Sequence, residues 1–260
     1  MTPRVPEIFV ESSGTGPNVV LLHGAPTSLE YMRLLGDQLC SEFCVHLVHL
    51  PGYGRTPALN VHPSLERVQE YVDAALLDRG ISSAMFVGYS LGGYRAILSV
   101  LAGRLAARGL LILSGLVRLS PEERDVLPGT IAFLRGPHAG QLVEALPARM
   151  LSPAHLKANP QDATRVKQWL VDTSPAVVAD ELEALLGASD IVDRLGAVTV
   201  AAMWRSGELD LPGPPAQAAL AAQRMPHLRV SHPAGVGHAL FYEDLPGTVE
   251  AALGFLRGCR

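Results

Sequence analysis

The amino-acid sequence predicts an α/β protein with a doubly wound, mostly parallel sheet and one helical insertion. Short apolar runs alternate with amphipathic stretches through the first 115 residues, which is the pattern of strands and crossover helices in a parallel sheet. The alternation stops between about residues 115 and 195, where helical patterns follow one another without strands. Strand-like runs resume after this segment, so the chain is expected to return to the same sheet.

Each element is predicted from its own periodicity. Short apolar runs bounded by turn residues predict strands, and apolar residues spaced three and four apart predict helices. In the first half, these rules predict strands at 8–11, 19–22, 45–48, 84–87 and 110–113, and helices at 29–39, 65–77 and 91–101. After the insertion they predict strands at 198–204 and 228–230, and a final helix at 245–256.

Proline-punctuated segments mark the insertion. The pairs Ser120-Pro121 and Ser152-Pro153 are typical of a helix N-cap followed by proline in the first turn. Because no strand is predicted among these helices, the segment is expected to lie over the sheet. The sequence therefore predicts two parts: an α/β core from residues 1–114 and 196–260, and a helical cap, or lid, from residues 115–195.

Composition disfavours several classes of partner. A chain of 260 residues with 48% hydrophobic content can bury one α/β core with an insertion. The formal net charge of -4, without long runs of one sign, provides no basic field for nucleic acid or an anionic membrane. No apolar run is long enough to span a bilayer. The three cysteines suggest neither a disulfide framework nor a metal site, so a cytoplasmic protein is expected. The expected assembly is a monomer or a homodimer.

The most informative motif surrounds Ser90. This serine stands between Gly88 and Gly92, where the predicted strand at 84–87 gives way to the predicted helix at 91–101. A strand that turns directly into a helix strains the residue at the apex, and glycines two positions before and after it avoid clashes. Such a turn exposes the serine oxygen, so Ser90 is the predicted nucleophile.

A serine hydroxyl needs an imidazole to accept its proton and an acid to orient that imidazole. Of the nine histidines, His238 is preferred because its loop follows the last predicted strand, at the edge where an open sheet gathers its ligands. His232, at the end of that strand, is the alternative. The others are interpreted as structural or surface residues: His23, His46, His49, His62, His155 and His227 among them.

The predicted acid is Asp210, in the loop after the strand at 198–204 and 28 residues before His238. Glu208 lies in the same loop and is the alternative acid, because the sequence alone does not show which carboxylate points at the imidazole. No acid follows the strand at 110–113, where the chain continues with Ser114. The resulting order of serine, acid and histidine is the order found with a nucleophile at a strand-to-helix turn.

The oxyanion formed by serine attack needs backbone N–H donors, each worth roughly 3 kcal/mol. The N–H of Leu91, at the start of the helix beside Ser90, is one predicted donor. The second is the N–H of Ala25, in the loop that follows the strand at 19–22. Gly24 allows a close turn there, whereas Pro26 has no N–H to offer.

Together these residues resemble the α/β-hydrolase family. The similarity rests on the loop at 23–26, the glycine-flanked Ser90 and the loop of His238, and it extends to a glycine-rich turn in which His49 replaces the family's usual aspartate. The resemblance implies a serine hydrolase that cleaves a small carboxylic ester or lactone through an acyl-enzyme, without cofactor or metal. Haloalkane dehalogenases and epoxide hydrolases of this fold use an aspartate nucleophile, so those reactions are disfavoured. Within the family, the helical insertion followed by a return to the sheet resembles small bacterial esterases and enol-lactonases with a cap.

Other functions remain open for the same residues. The triad could support a thioesterase, or a hydrolase that breaks a carbon–carbon bond in a diketone. A weakly catalytic protein that binds a small ligand is the non-enzymatic alternative. In each case the expected partner is a small molecule, foremost an ester or lactone.

Overall fold

A computed structural model describes residues 7–59 and 64–260, so His62 lies outside the described residues. Within these ranges, seven strands form one sheet in the order β1-β3-β2-β4-β5-β6-β7. Only the pairing of β1 with β3 is antiparallel in this part of the chain. The strands are β1 (Val10–Ser13), β2 (Asn18–Leu22), β3 (Cys44–Val48), β4 (Ser83–Tyr89), β5 (Ala106–Leu113), β6 (Ala202–Arg205) and β7 (Arg229–Ser231).

Helices alternate with these strands, which confirms the predicted α/β class. Three helices lie between strands in the first half: α1 (Leu29–Leu39), α2 (Leu65–Asp78) and α3 (Leu91–Ala102). Three more complete the second half: α9 (Pro215–Ala222), α10 (Leu240–Glu243) and α11 (Leu245–Arg257). None of the helices in residues 7–59 and 64–260 has the length and hydropathy that crossing a membrane requires.

Two apolar clusters cover the two faces of the sheet. Successive side chains of a strand point to opposite faces, and β4 shows this directly. Ala84 and Phe86 belong to one buried cluster, whereas Met85 and Val87 belong to the other. Because both faces are buried, the central strands are continuous apolar runs in the sequence.

Five helices occupy the segment between β5 and β6: α4 (Pro121–Leu134), α5 (Gly140–Met150), α6 (Pro153–Ala158), α7 (Pro160–Asp172) and α8 (Pro175–Leu186). The predicted Ser-Pro caps are confirmed, since Ser120 accepts the N–H of Glu123 and Ser152 accepts the N–H of His155. Helix α4 packs on α8, and α5 on α7. The division of the chain into a core and a cap stays a prediction.

The structure corrects the predicted elements after the insertion. The strand predicted at 198–204 begins only at Ala202, which pairs with Leu110 of β5. A 3-10 helix, Val192–Ala197, precedes this strand in the chain, and Val198 is buried. Helices α9 and α10 were not predicted. The alanine-rich sequence of α9 has little amphipathic contrast, and α10 has only four residues.

Candidate active site

Ser90 lies at the sharp turn between β4 and α3, with backbone angles φ 55° and ψ -124°. Positive φ is unusual for a residue with a side chain. The turn is this tight because glycines let neighbouring backbone approach it: a Cβ on Gly88 would lie 2.1 Å from the carbonyl oxygen of Gly92. A Cβ on Gly92 would lie 2.0 Å from the carbonyl oxygen of Leu22. The sequence pattern around Ser90 therefore has a direct steric cause.

The loop after β2 lies against Ser90. A Cβ on Gly24 would lie 2.6 Å from the Cβ of Ser90 and 3.1 Å from its Oγ, so only glycine fits there. The carbonyl oxygen of Gly24 accepts the N–H of Thr27 at 3.1 Å and contacts Nδ1 of His23 at 2.9 Å. That carbonyl and the N–H of Ala25 belong to one planar peptide and point in opposite directions. Holding the carbonyl therefore fixes the direction of the Ala25 N–H.

His23 supports this loop as a neutral imidazole. The backbone N–H of Leu50 donates to its Nε2 at 3.2 Å, so Nε2 carries no proton and Nδ1–H donates to the carbonyl of Gly24. Complete burial lowers the pKa of His23 to about 3. The imidazole thus keeps one tautomer in which both nitrogens hold backbone groups of the loop.

The structure brings the predicted acid and the predicted base into contact. Asp210 Oδ1 lies 2.8 Å from His238 Nδ1, and both side chains are buried. The same oxygen accepts the backbone N–H of Gly213 at 2.7 Å. With Nδ1–H donated to the carboxylate, Nε2 is the nitrogen that remains for proton transfer.

Glu208, the alternative acid, points elsewhere. Its carboxylate accepts the backbone N–H of Gly235 at 2.9 Å, on the exposed side of the loop. The two loops meet because Gly207 has no side chain: a Cβ there would lie 2.1 Å from the carbonyl oxygen of Val236. Of the two carboxylates in this loop, the one that contacts His238 is Asp210.

A model of the alpha/beta hydrolase family matches residues 19–252. The chain belongs to the α/β-hydrolase family. This α/β-hydrolase is 27% identical over 251 residues to a pimeloyl-[acyl-carrier protein] methyl ester esterase of Xanthomonas campestris pv. campestris, covering 94% of the chain and 96% of the relative. A protein of the same name from Chromobacterium violaceum is 42% identical over 86 residues, a match that covers 33% of the chain and 32% of that relative.

Solved structures share the fold of this α/β-hydrolase. A thermophilic esterase from Thermogutta terrifontis superposes with a TM-score of 0.91 at 23% identity, covering 100% of the chain and 96% of the esterase. The enol-lactonase from Burkholderia xenovorans LB400 superposes with a TM-score of 0.88 at 21% identity, covering 98% of each chain. These similarities confirm the predicted fold.

His232 and His49 of the α/β-hydrolase contact groups other than the predicted triad residues. His232 Nδ1 lies 3.1 Å from both the hydroxyl and the carbonyl oxygen of Ser206, so the structure does not bring this alternative base to an acid. His49 Nδ1 accepts the backbone N–H of Arg55 at 3.1 Å. Burial lowers the pKa of both His46 and His49. In the described ranges, no group of three or more His, Cys, Asp or Glu side chains could hold a metal ion.

Two hydroxyls close to His238 are not among the predicted site residues. They belong to Tyr89 and to Ser114, which the sequence marks only as a point where no acid follows the strand at 110–113. In the structure both donate to the backbone carbonyl of His238, at 3.0 and 3.1 Å. The sequence signal for them is their position: Tyr89 directly precedes Ser90, and Ser114 directly follows β5.

Proposed function

We propose that this α/β-hydrolase cleaves a small carboxylic ester or lactone through an acyl-enzyme on Ser90. The observation that carries the proposal is the buried contact of 2.8 Å between Asp210 and His238, whose ring centroid lies 5.1 Å from that of Tyr89, the residue before Ser90. Relatives named as esterases, and a structural neighbour named as an enol-lactonase, support action on an ester bond.

In the proposed mechanism, Ser90 Oγ attacks the ester carbonyl while His238 Nε2 takes its proton. Asp210 orients the imidazole and stabilises its cationic form. The oxyanion accepts hydrogen bonds from the N–H groups of Ala25 and Leu91. His238 then gives its proton to the leaving alcohol. A water molecule, deprotonated by the same nitrogen, then attacks the acyl-enzyme; the bond to Ser90 Oγ breaks, His238 returns the proton to Ser90, and a carboxylic acid is released.

We also propose that residues 115–195 form a cap over Ser90. A hydrogen bond between backbone groups connects this segment to the His238 loop: the N–H of Ala239 donates to the carbonyl of Met150 at 2.8 Å. Next to it, the carboxylate of Glu243 accepts the N–H of Ser152 at 3.2 and 3.1 Å. These contacts support a cap that is packed against the loop of the base.

The charge of this segment favours a free small ester over one attached to an acidic carrier protein. Residues 115–195 contain eleven acidic and eight basic side chains. Four of the basic side chains form ion pairs, which reduces their availability to an acidic partner: Arg118 with Asp190, Arg135 with Asp180, Arg165 with Asp162 and Lys167 with Glu144.

The test is the variant Ser90→Ala, assayed with short-chain p-nitrophenyl esters. We expect kcat to fall by roughly 10⁶-fold, the loss that follows removal of the serine from such a triad. Circular dichroism should show an unchanged fold. Ser99→Ala is the matched control, because Ser99 lies on the same helix, α3, with its hydroxyl bound to Asp73. Hydrolysis by Ser90→Ala at the wild-type rate would falsify the proposal.

A substrate panel then separates the reaction classes. Esters, lactones, thioesters and a diketone are compared under identical conditions on wild-type protein and Ser90→Ala. We expect the highest Ser90-dependent kcat/KM with a small ester or lactone. A preference for the thioester or the diketone would contradict the proposed bond type but keep the nucleophile, whereas no turnover together with no fluorophosphonate label on Ser90 would favour a binding protein.

A further inference from the structure

Two buried hydroxyls converge on the backbone carbonyl of His238. Tyr89 Oη donates to it at 3.0 Å and Ser114 Oγ donates at 3.1 Å. Both residues are fully buried. The N–H of Leu240 also donates to this oxygen at 2.9 Å, but that bond is local to the loop. The two hydroxyls are therefore the donors that connect this carbonyl to the sheet.

The same two strand ends also hold Ser90. Tyr89 is the last residue of β4 and directly precedes Ser90, and it pairs with Leu113, the last residue of β5. The carbonyl of Leu113 accepts the N–H of Ser90 at 2.8 Å. Ser114 follows Leu113 in the chain. The backbones of Ser90 and His238 are thus held by hydrogen bonds to two adjacent residues, Leu113 and Ser114.

The backbone of Ser114 indicates why a serine stands at this point. Its φ is 49°, in the left-handed region that is strained for a residue with a side chain. Glycine would adopt this conformation without that strain, but it has no hydroxyl. Ser114 also contacts the loop of the acid, since a Cβ on Gly213 would lie 2.5 Å from the carbonyl oxygen of Ser114.

The hydroxyl of Tyr89 is a permanent donor. Burial raises the pKa of Tyr89 well above its usual range, so the phenol keeps its proton. The aromatic ring has separate packing partners: its centroid lies 5.1 Å from those of both Tyr31 and His238, and 5.7 Å from that of Phe241. Replacement by phenylalanine would retain this packing and remove the donated hydrogen bond.

We propose that Tyr89 and Ser114 are positioning residues for the reaction, and that their hydroxyls hold the His238 backbone in register with Ser90. The proposal rests on the function proposed for Ser90. Asp210 restrains the imidazole ring, whereas the two hydroxyls restrain the chain that carries it. A displacement of the base by 1 Å can cost about a hundred-fold in rate.

The experiment compares Tyr89→Phe, Ser114→Ala, Ser114→Gly and the double variant Tyr89→Phe/Ser114→Ala. Tyr94→Phe is the control, because the buried Tyr94 donates its hydroxyl to the carbonyl of Ser189 at 2.6 Å. The measurements are kcat and KM on an ester turned over by wild-type protein, the rate of fluorophosphonate labelling, and the melting temperature. Ser90→Ala is assayed in parallel.

We expect each single variant to lower kcat and the labelling rate by roughly ten- to a hundred-fold, with KM within about two-fold. Ser114→Gly should lose activity as Ser114→Ala does, although its backbone is relieved of strain. Tyr94→Phe should keep kcat and the labelling rate, whatever its melting temperature.

Two results overturn the proposal in different ways. If Tyr89→Phe and Ser114→Ala keep wild-type kcat and labelling while Ser90→Ala is inactive, the hydroxyls have only a structural role and the function proposed for Ser90 stands. If Ser90→Ala turns over as wild type does, the function proposed for Ser90 fails, and the positioning role fails with it.

Discussion

Two histidine–aspartate pairs in this molecule have the same contact distance and very different surroundings. His238 Nδ1 lies 2.8 Å from Asp210, at the carboxyl edge of the sheet, and His155 Nε2 lies 2.8 Å from Asp162, between α6 and α7. Asp162 also pairs with Arg165, whereas Asp210 also accepts the backbone N–H of Gly213. The contact distance alone therefore does not identify an active site.

The surroundings of the two imidazole rings differ. In His155, Nδ1 faces the side-chain amide of Asn159 at 3.4 Å within its own helical segment. In His238, the ring is held beside the strand end that carries Ser90, with its centroid 5.1 Å from that of Tyr89. The His155 pair thus links α6 to α7 within the insertion, whereas the ring of His238 lies next to that of Tyr89, the residue before Ser90.

The largest difference between the pairs should appear in the variants Asp210→Asn and Asp162→Asn. We expect Asp210→Asn to lower kcat by about 10⁴-fold, because the amide no longer selects the imidazole tautomer that accepts the serine proton. Asp162→Asn should leave kcat unchanged and lower the free energy of unfolding by about 1 kcal/mol, or Tm by roughly 2–4 °C.

Steady-state kinetics and thermal unfolding of the two asparagine variants, measured side by side, check this expectation. The comparison fails if the two variants lose activity to a similar extent, because the pair between α6 and α7 would then act on the reaction as well. It also fails if Asp210→Asn retains more than about a tenth of wild-type kcat.

The sequence was sufficient to predict the centre of the sheet. The predicted helix at 29–39 has the same bounds as α1, and the runs at 19–22 and 84–87 lie within β2 and β4. Central strands are buried on both faces, so their apolar signal is continuous. The edge strand β7 has only three residues, partly exposed, and its predicted position was one residue early.

The orientation of side chains within the loops could not be predicted from the sequence. Asp210 and Glu208 belong to one loop, and their directions depend on how Gly207 packs against residues 236 and 237. That approach is a contact between segments about 30 residues apart, with no local pattern to reveal it. The hydrogen bonds from Tyr89 and Ser114 to the His238 carbonyl could not be predicted for the same reason, since a backbone carbonyl has no sequence signature.

Besides the two histidine–aspartate pairs, the molecule has buried neutral histidines. We expect these to affect the free energy of unfolding and not kcat. Burial lowers the pKa of His23 to about 3, and it also lowers the pKa of His46 and His49. Each binds a proton more readily in the unfolded chain, where the pKa is about 6.5. Their contribution to stability is therefore present above pH 6.5 and is lost as the pH falls toward the folded values.

Between pH 6.5 and 4.5 we expect the free energy of unfolding to fall by about 1.4 kcal/mol per pH unit for each histidine that stays neutral when folded. Urea unfolding across this window, compared between wild type and His46→Gln, measures the slope. The variant should be less stable at pH 7 but show a shallower decline. Equal slopes in the two proteins would contradict the lowered pKa of His46.

The smallest expected effect is that of Glu208→Gln, and it tests the first comparison most directly. Glu208 and Asp210 share a loop, but the Glu208 carboxylate accepts the exposed N–H of Gly235, and a glutamine oxygen can accept the same hydrogen bond. We therefore expect kcat within about three-fold of wild type and a stability change within about 0.5 kcal/mol. If this variant instead loses activity as Asp210→Asn is expected to, the orienting acid is Glu208, and the buried contact with His238 is only structural, like that of Asp162 with His155.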